Sequence, residues 1–123
     1  MNAMYGCLCV VILMLLSTGP VRADEPPVYP GSERAPQEDI ATTINPGMNT
    51  AEKVYHSRDS VSKVNAWFRQ HLSHEGIQED GQTHYPLPVS EDLKRRMPNA
   101  TRTVIVEAKG SGTKIRIRCS RCH

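Results

Sequence analysis

A chain of 123 residues, 38% hydrophobic and 23% charged, with a mean hydropathy of −0.47, has room for one domain with a small core. The formal net charge of +2 conceals a polarity: residues 24–92 carry twelve acids against five Lys or Arg, whereas residues 93–123 carry nine Lys or Arg against Glu107 alone, a change from −7 to +8. A basic end of this kind either meets an anionic partner or folds back on the acidic half, where the two fields partly cancel.

Residues 7–16, CLCVVILMLL, form an apolar run of ten, too short to cross a bilayer and the length of a secretory signal core. Ser17 to Pro20 break it, and Val21-Arg22-Ala23 places compact residues where a signal peptidase reads. A signal peptide over 1–23, cleaved after Ala23, predicts export to the periplasm or beyond and no transmembrane span in the mature chain. A retained anchor is the alternative, since MNAMYG carries no Lys or Arg. Cleavage removes Cys7 and Cys9 and leaves Cys119 and Cys122 as a pair.

Four prolines in residues 24–39 predict an extended tether, with at best one strand near Val28 and Tyr29. A single domain then covers 40–123. IATTI, the turn chemistry of NPG and the strand formers Val54 and Tyr55 suggest a loose hairpin from Ile40 to His56. Asp59 is placed to cap a helix whose apolar positions, Val61, Val64, Phe68 and Leu72, share one stripe at 100° per residue, with Trp67 at its margin. Gly76 is placed to end it, and His71 and His74 suit its negative terminus.

IQEDGQTHY, residues 77–85, reads as either an edge strand or a loop. Ser90, followed by Glu91 and Asp92 and then by Lys94, Arg95 and Arg96, signals a short helix before Pro98. TVIVEAK and TKIRIRC flank GSG as a hairpin. In its second strand Ile115, Ile117 and Cys119 alternate with Lys114, Arg116 and Arg118, so that one face joins the core and the other forms a basic ladder in water. The fold class is α+β: a small antiparallel sheet of three to five strands with one main amphipathic helix on one face.

PVYPGSE, the helix DSVSKVNAWFRQHL and the terminal TVIVEAKGSGTKIRIR resemble small exported bacterial proteins and lipoproteins that open with a P-x-Y-P-G strand and set one helix on a sheet. The resemblance covers most of the mature chain, implies fold and location, and carries no assigned activity. The arginine-rich hairpin and the C-terminal cysteines depart from it.

The tail RCSRCH spells C-x-x-C-H. As a haem c site, Cys119 and Cys122 would bond the vinyl groups and His123 the iron, in an electron carrier. Against this stand the in-phase position of Cys119 with inward strand residues and a mature domain with one Phe and one Trp to line a porphyrin pocket. A Cys119–Cys122 disulfide is the favoured reading, in a tight loop that adds little stability. As a zinc clip, Cys119, Cys122 and His123 supply three ligands where a structural site takes four, the fourth coming from His84, His71 or a second molecule. A thiol redox centre lacks the helix that lowers a thiol pKa in such motifs.

The candidate anion-binding set is Lys94, Arg95, Arg96, Arg102, Lys114, Arg116, Arg118 and Arg121. Only Tyr85 lies near it as a stacking aromatic, so nucleic acid is a poor partner, and anionic lipid or polysaccharide suits an exported protein better. There is no nucleophile elbow and no paired carboxylate site, and KGSGTK joins two strands rather than a strand to a helix, unlike a P-loop. These features predict a non-catalytic binding or accessory domain with a basic C-terminal hairpin for an anionic partner. The alternatives are the haem electron carrier and a thiol redox or metal protein.

Overall fold

The computed structural model describes residues 26–43 and 49–122; the signal-like segment 1–23, the NPG turn and His123 lie outside them. In chain order the elements are β1 (Glu33–Arg34), a 3₁₀ turn (Pro36–Glu38), β2 (Ile40–Thr43), β3 (Asn49–Ser57), α1 (Val61–Leu72), β4 (Ile77–Glu79), β5 (Gln82–Leu87), α2 (Glu91–Arg96), β6 (Thr101–Lys109) and β7 (Gly112–Ser120). The sheet is antiparallel in the order β1-β3-β7-β6-β5-β4, and β2 also pairs with β3. The α+β class and both expected hairpins are present. The described residues form seven strands rather than three to five.

The extra strands are short ones at the edges. β1 and β2 pair with opposite ends of the same edge of β3, separated by the 3₁₀ turn that begins at Pro36. Proline has no N–H to give a ladder, so the edge strand breaks there. Asp39 repairs the gap: its carboxylate accepts the Val54 N–H at 3.0 Å, while the Val54 carbonyl accepts from Ala35 N–H at 2.8 Å. Arg34 donates to both Asp39 oxygens, at 2.6 and 2.5 Å, and this guanidinium holds the Asp39 carboxyl below the usual range against the opposing pull of desolvation. At the other edge, Asp80 and Gly81 both have positive φ, 49° and 77°, and make the tight turn from β4 to β5. Pro86 is tolerated in β5 because β4 pairs only as far as His84, leaving an edge beyond it.

The tether expected over 24–39 needs amending in its described part, which is fastened to the domain. Tyr29 is 5% exposed and packs edge-on to Trp67, with ring centroids 5.5 Å apart. Its hydroxyl donates to Asp59 at 2.5 Å; that bond, helped by burial, pushes the Tyr29 pKa up to about 12, and the same bond holds Asp59 below its ordinary value against desolvation. Asp59 therefore does not cap α1; Ser60 does, its hydroxyl accepting from Lys63 N–H. Nor does Gly76 end the helix: Ser73 adopts the left-handed conformation there, at φ 50°. Gly76, at φ 80°, is required for a different reason. A Cβ on it would come within 2.6 Å of the Thr83 methyl and 2.8 Å of the Tyr85 ring.

The stripe of α1 lands as its spacing predicts. Val64 and Phe68 are fully buried against Tyr85, Val104, Val106, Ile115 and Ile117, while Val61, Trp67 and Leu72 close the margin. One polar residue joins that face: Asn65, buried, accepts the Tyr85 hydroxyl at 2.7 Å. A helix of 12 residues spans roughly 18 Å and is about 10 Å across, whereas a nine-residue strand is about 30 Å long, so α1 alone cannot cover the sheet face. The uncovered end is where Cys119, Arg102 and Ala51 lie abreast.

Candidate functional site

Pleating of β7 sorts the basic hairpin onto two faces. On the helix face Ile115 and Ile117 are 1% and 7% exposed, as their alternation predicts. The opposite ladder does not stand in water. Arg116 lies in register between Val54 on β3 and Ile105 on β6, both buried, and its side chain is 15% exposed. Glu52, 4% exposed, receives both guanidinium groups, from Arg116 at 3.3 Å and from Arg118 at 2.6 Å. The buried Arg116 Nε lacks a hydrogen bond and lies 3.6 Å from the Glu107 carboxylate. Further along, Glu38 gathers Lys114 at 3.4 Å, Lys109 at 3.6 Å and the ring of His56. The hydrogen bond from His56 is the main cause that lowers the Glu38 pKa, with desolvation opposing it. Acidic residues from the first half of the chain thus meet the basic end. Desolvated guanidinium groups require such partners, because an unpaired charge there would be strongly unfavourable.

The helix face presents the other arrangement. At its uncovered end the sheet, α2 and the N-terminal segment border an open cavity of about 450 Å³. Ala51, Ile117, Cys119 and Cys122 form its floor, and Leu93, Ser90 and Pro26 its walls. Lys53, Arg96 and Arg102, from β3, α2 and β6, also line it, and among the described residues no acidic one does. Alternation explains the floor: Ala51 and Lys53 pair with Cys119 and Ile117, and Arg102 pairs with Cys119 from the other side. Ser90 caps α2 as predicted, accepting the Leu93 N–H at 3.1 Å, and so turns Leu93 and Arg96 toward the sheet.

The eight candidate cations are therefore divided. Arg96 and Arg102 reach the cavity; Lys114, Arg116 and Arg118 face the carboxylates on the outer face. Arg95 and Arg96 also pair with Asp92, at 3.8 and 3.1 Å, in exposed contacts that water screens. Lys94 and Arg121 are exposed on α2 and on the turn after β7. Lys53 is the cavity cation that the sequence reading missed. Its only signal was the alternation of Ala51, Lys53 and Tyr55, which identifies a common face without saying what covers it.

Cys119 and Cys122 lie within disulfide distance, with Cα atoms 6.0 Å apart, around a turn that Arg121 makes at φ 58°. The Arg121 N–H donates to the Asn49 carbonyl at 2.7 Å and ties that turn to β3. A sulfur bonded to its neighbour is not available to a haem vinyl group or a metal, so these uses are mutually exclusive; His123, the third ligand of both, lies outside the described residues. His84 pairs with Ile105 on the outer face, so the sheet separates it from Cys119. Among the described residues no group of three or more His, Cys, Asp or Glu is arranged to hold a metal, and no helix is long and apolar enough to cross a membrane. No family model, no curated protein and no solved structure matches the chain.

Proposed function

We propose that the protein is an exported, non-catalytic binding domain that receives an anionic partner at the Lys53–Arg96–Arg102 cluster. The observation that carries this reading is the convergence of three cations from three separate elements on one cavity that no carboxylate lines among the described residues. Cations gathered at one opening raise the local positive potential and attract negative charge. Glu52 and Glu38 engage the charges of the outer ladder, which makes that face a poor receiver of a further anion. Export rests on the apolar run at 7–16, and an oxidising compartment would keep Cys119 and Cys122 as a disulfide in the cavity floor.

The test is binding of the protein to heparin, to phosphatidylglycerol vesicles and to decyl phosphate, compared with the variant Lys53→Glu/Arg96→Glu. Binding of the wild type to at least one of these, reduced tenfold or more in the variant, is expected. Equal binding by both proteins, or no binding to any probe, overturns the assignment.

A further inference from the structure

Beyond anion binding, we infer that Cys119 and Cys122 form a thiol–disulfide exchange site that accepts two electrons from a dithiol, once per molecule, with Cys119 as the sulfur attacked and Cys122 as the leaving sulfur. The two cysteines differ in their surroundings. Cys119 is half-buried and lines the open cavity with its strand neighbours Ala51 and Ile117. Cys122 is buried, and its sulfur lies 3.6 Å from the Ser120 carbonyl oxygen and 3.9 Å from that of Thr101. A disulfide sulfur has no proton to offer those oxygens, whereas the reduced Cys122 can donate its S–H to them. The environment of Cys122 thus suits the thiol that reduction produces, and that of Cys119 suits contact with an incoming sulfur.

A structural staple is the competing role, and the fold makes it redundant. The bond encloses only Ser120 and Arg121, so it removes little entropy from the unfolded chain. The turn is tied down without it: the Arg121 N–H donates to the Asn49 carbonyl at 2.7 Å, and Ser120 pairs with Thr50 on β3 and with Thr101 on β6. Linkage runs in both directions. A disulfide that stabilises the fold little is stabilised little by the fold, and so stays exchangeable with external thiols. The open cavity at Cys119 supplies the access that exchange requires. No helix follows Cys119 to lower its pKa, and none is needed, because the attacking thiolate belongs to the dithiol.

One thiolate of the dithiol attacks Cys119 Sγ. A mixed disulfide forms, the Cys119–Cys122 bond breaks, and its electron pair leaves on Cys122 Sγ, which takes a proton from water. The second thiolate of the dithiol then attacks the dithiol's first sulfur and releases Cys119 as a thiolate, which water protonates. The dithiol ends as a disulfide and the protein as two thiols, a transfer of two electrons.

The experiment incubates the oxidised protein, without denaturant, with a reduced peptide that carries two cysteines, and follows both partners by alkylation and intact mass. The peptide is expected to become a disulfide while the protein gains alkylatable thiols at Cys119 and Cys122. The equilibrium constant should lie within about a hundredfold of that for the free peptide RCSRCH, since so short a loop couples weakly to folding. Single-cysteine variants read the asymmetry: Cys122→Ser should form a mixed disulfide with oxidised glutathione at least about tenfold faster than Cys119→Ser, because the buried thiol is the less accessible. Should either variant fail to fold, the wild type treated with reduced glutathione and quenched in acid gives the same assignment, with the adduct on Cys119. A disulfide reduced only in urea, two free thiols in protein recovered from an oxidising compartment, or adducts mainly on Cys122 would each overturn the inference. None of these outcomes bears on anion binding, whose probes carry no thiol.

Discussion

On the outer face of β7, Arg116 and Arg118 share the buried carboxylate of Glu52; on the helix face of the same sheet, Lys53, Arg96 and Arg102 line a cavity that no carboxylate lines among the described residues. The residue types are alike and the surroundings differ. Outside, Arg116 lies in register between buried Val54 and Ile105, loses most of its water, and depends on an internal countercharge. At the cavity, the pair that Arg96 makes with Asp92 is exposed, and water screens it. A basic strand is therefore not by itself a binding surface; the face whose charges are already matched holds the structure together.

The strongest way to break this comparison is to remove the shared carboxylate. Glu52→Ala leaves two guanidinium groups without their acceptor and should cost about 3 kcal/mol in urea unfolding. A loss below about 1 kcal/mol would mean that these arginines are solvated after all. The helix face has a buried polar contact of its own, but a neutral one: Tyr85→Phe removes the hydroxyl that donates to Asn65 and should cost about 1–2 kcal/mol by the same measurement. The order of the two effects sharpens the contrast between a charged and a neutral buried contact.

Melting temperature against pH separates the regions further, by smaller amounts. Glu38 and Asp39 have folded pKa values below their ordinary ones, so their contribution is complete above the ordinary carboxylate range and is lost as pH falls through the depressed values. Glu38→Gln should flatten that acid limb. Tyr29 has the opposite sign. Raised from 10.0 to about 12, it contributes fully below pH 10 and loses its contribution as pH climbs toward 12, and Tyr29→Phe should flatten the alkaline limb. The smallest effect is expected at the cavity: Lys53→Glu/Arg96→Glu should leave unfolding free energy within about 0.5 kcal/mol of wild type, since exposed charges of this kind contribute little to stability.

Local chemistry was legible in the sequence where one element carried its own signal. The α1 stripe, the Ser90 cap, the terminal hairpin and the inward phase of Ile115 and Ile117 all follow from periods and caps that neighbours do not alter. Asp80-Gly81 was a readable hairpin turn that the ambiguous polarity of 77–85 obscured. Other features depend on partners far along the chain. Tyr29 bonds Asp59 across 30 residues, and Arg116 reaches Glu52 across 64. No periodicity within TKIRIRC could say that its arginines would be neutralised by a glutamate on β3, nor that Lys53 would stand beside Arg96 and Arg102. Half of the cavity is made by adjacency of β3, β7 and β6, which only the sheet order fixes.

The division of labour between the two faces is tested most directly by mapping amide chemical-shift changes as decyl phosphate is added to the labelled protein. The account predicts shifts concentrated at Ala51, Lys53, Leu93, Arg96, Arg102 and Ile117, with Glu52, Arg116 and Arg118 moving far less. Shifts centred instead on Arg116 and Arg118 would contradict it, because the face assigned to structure would then be the one that binds.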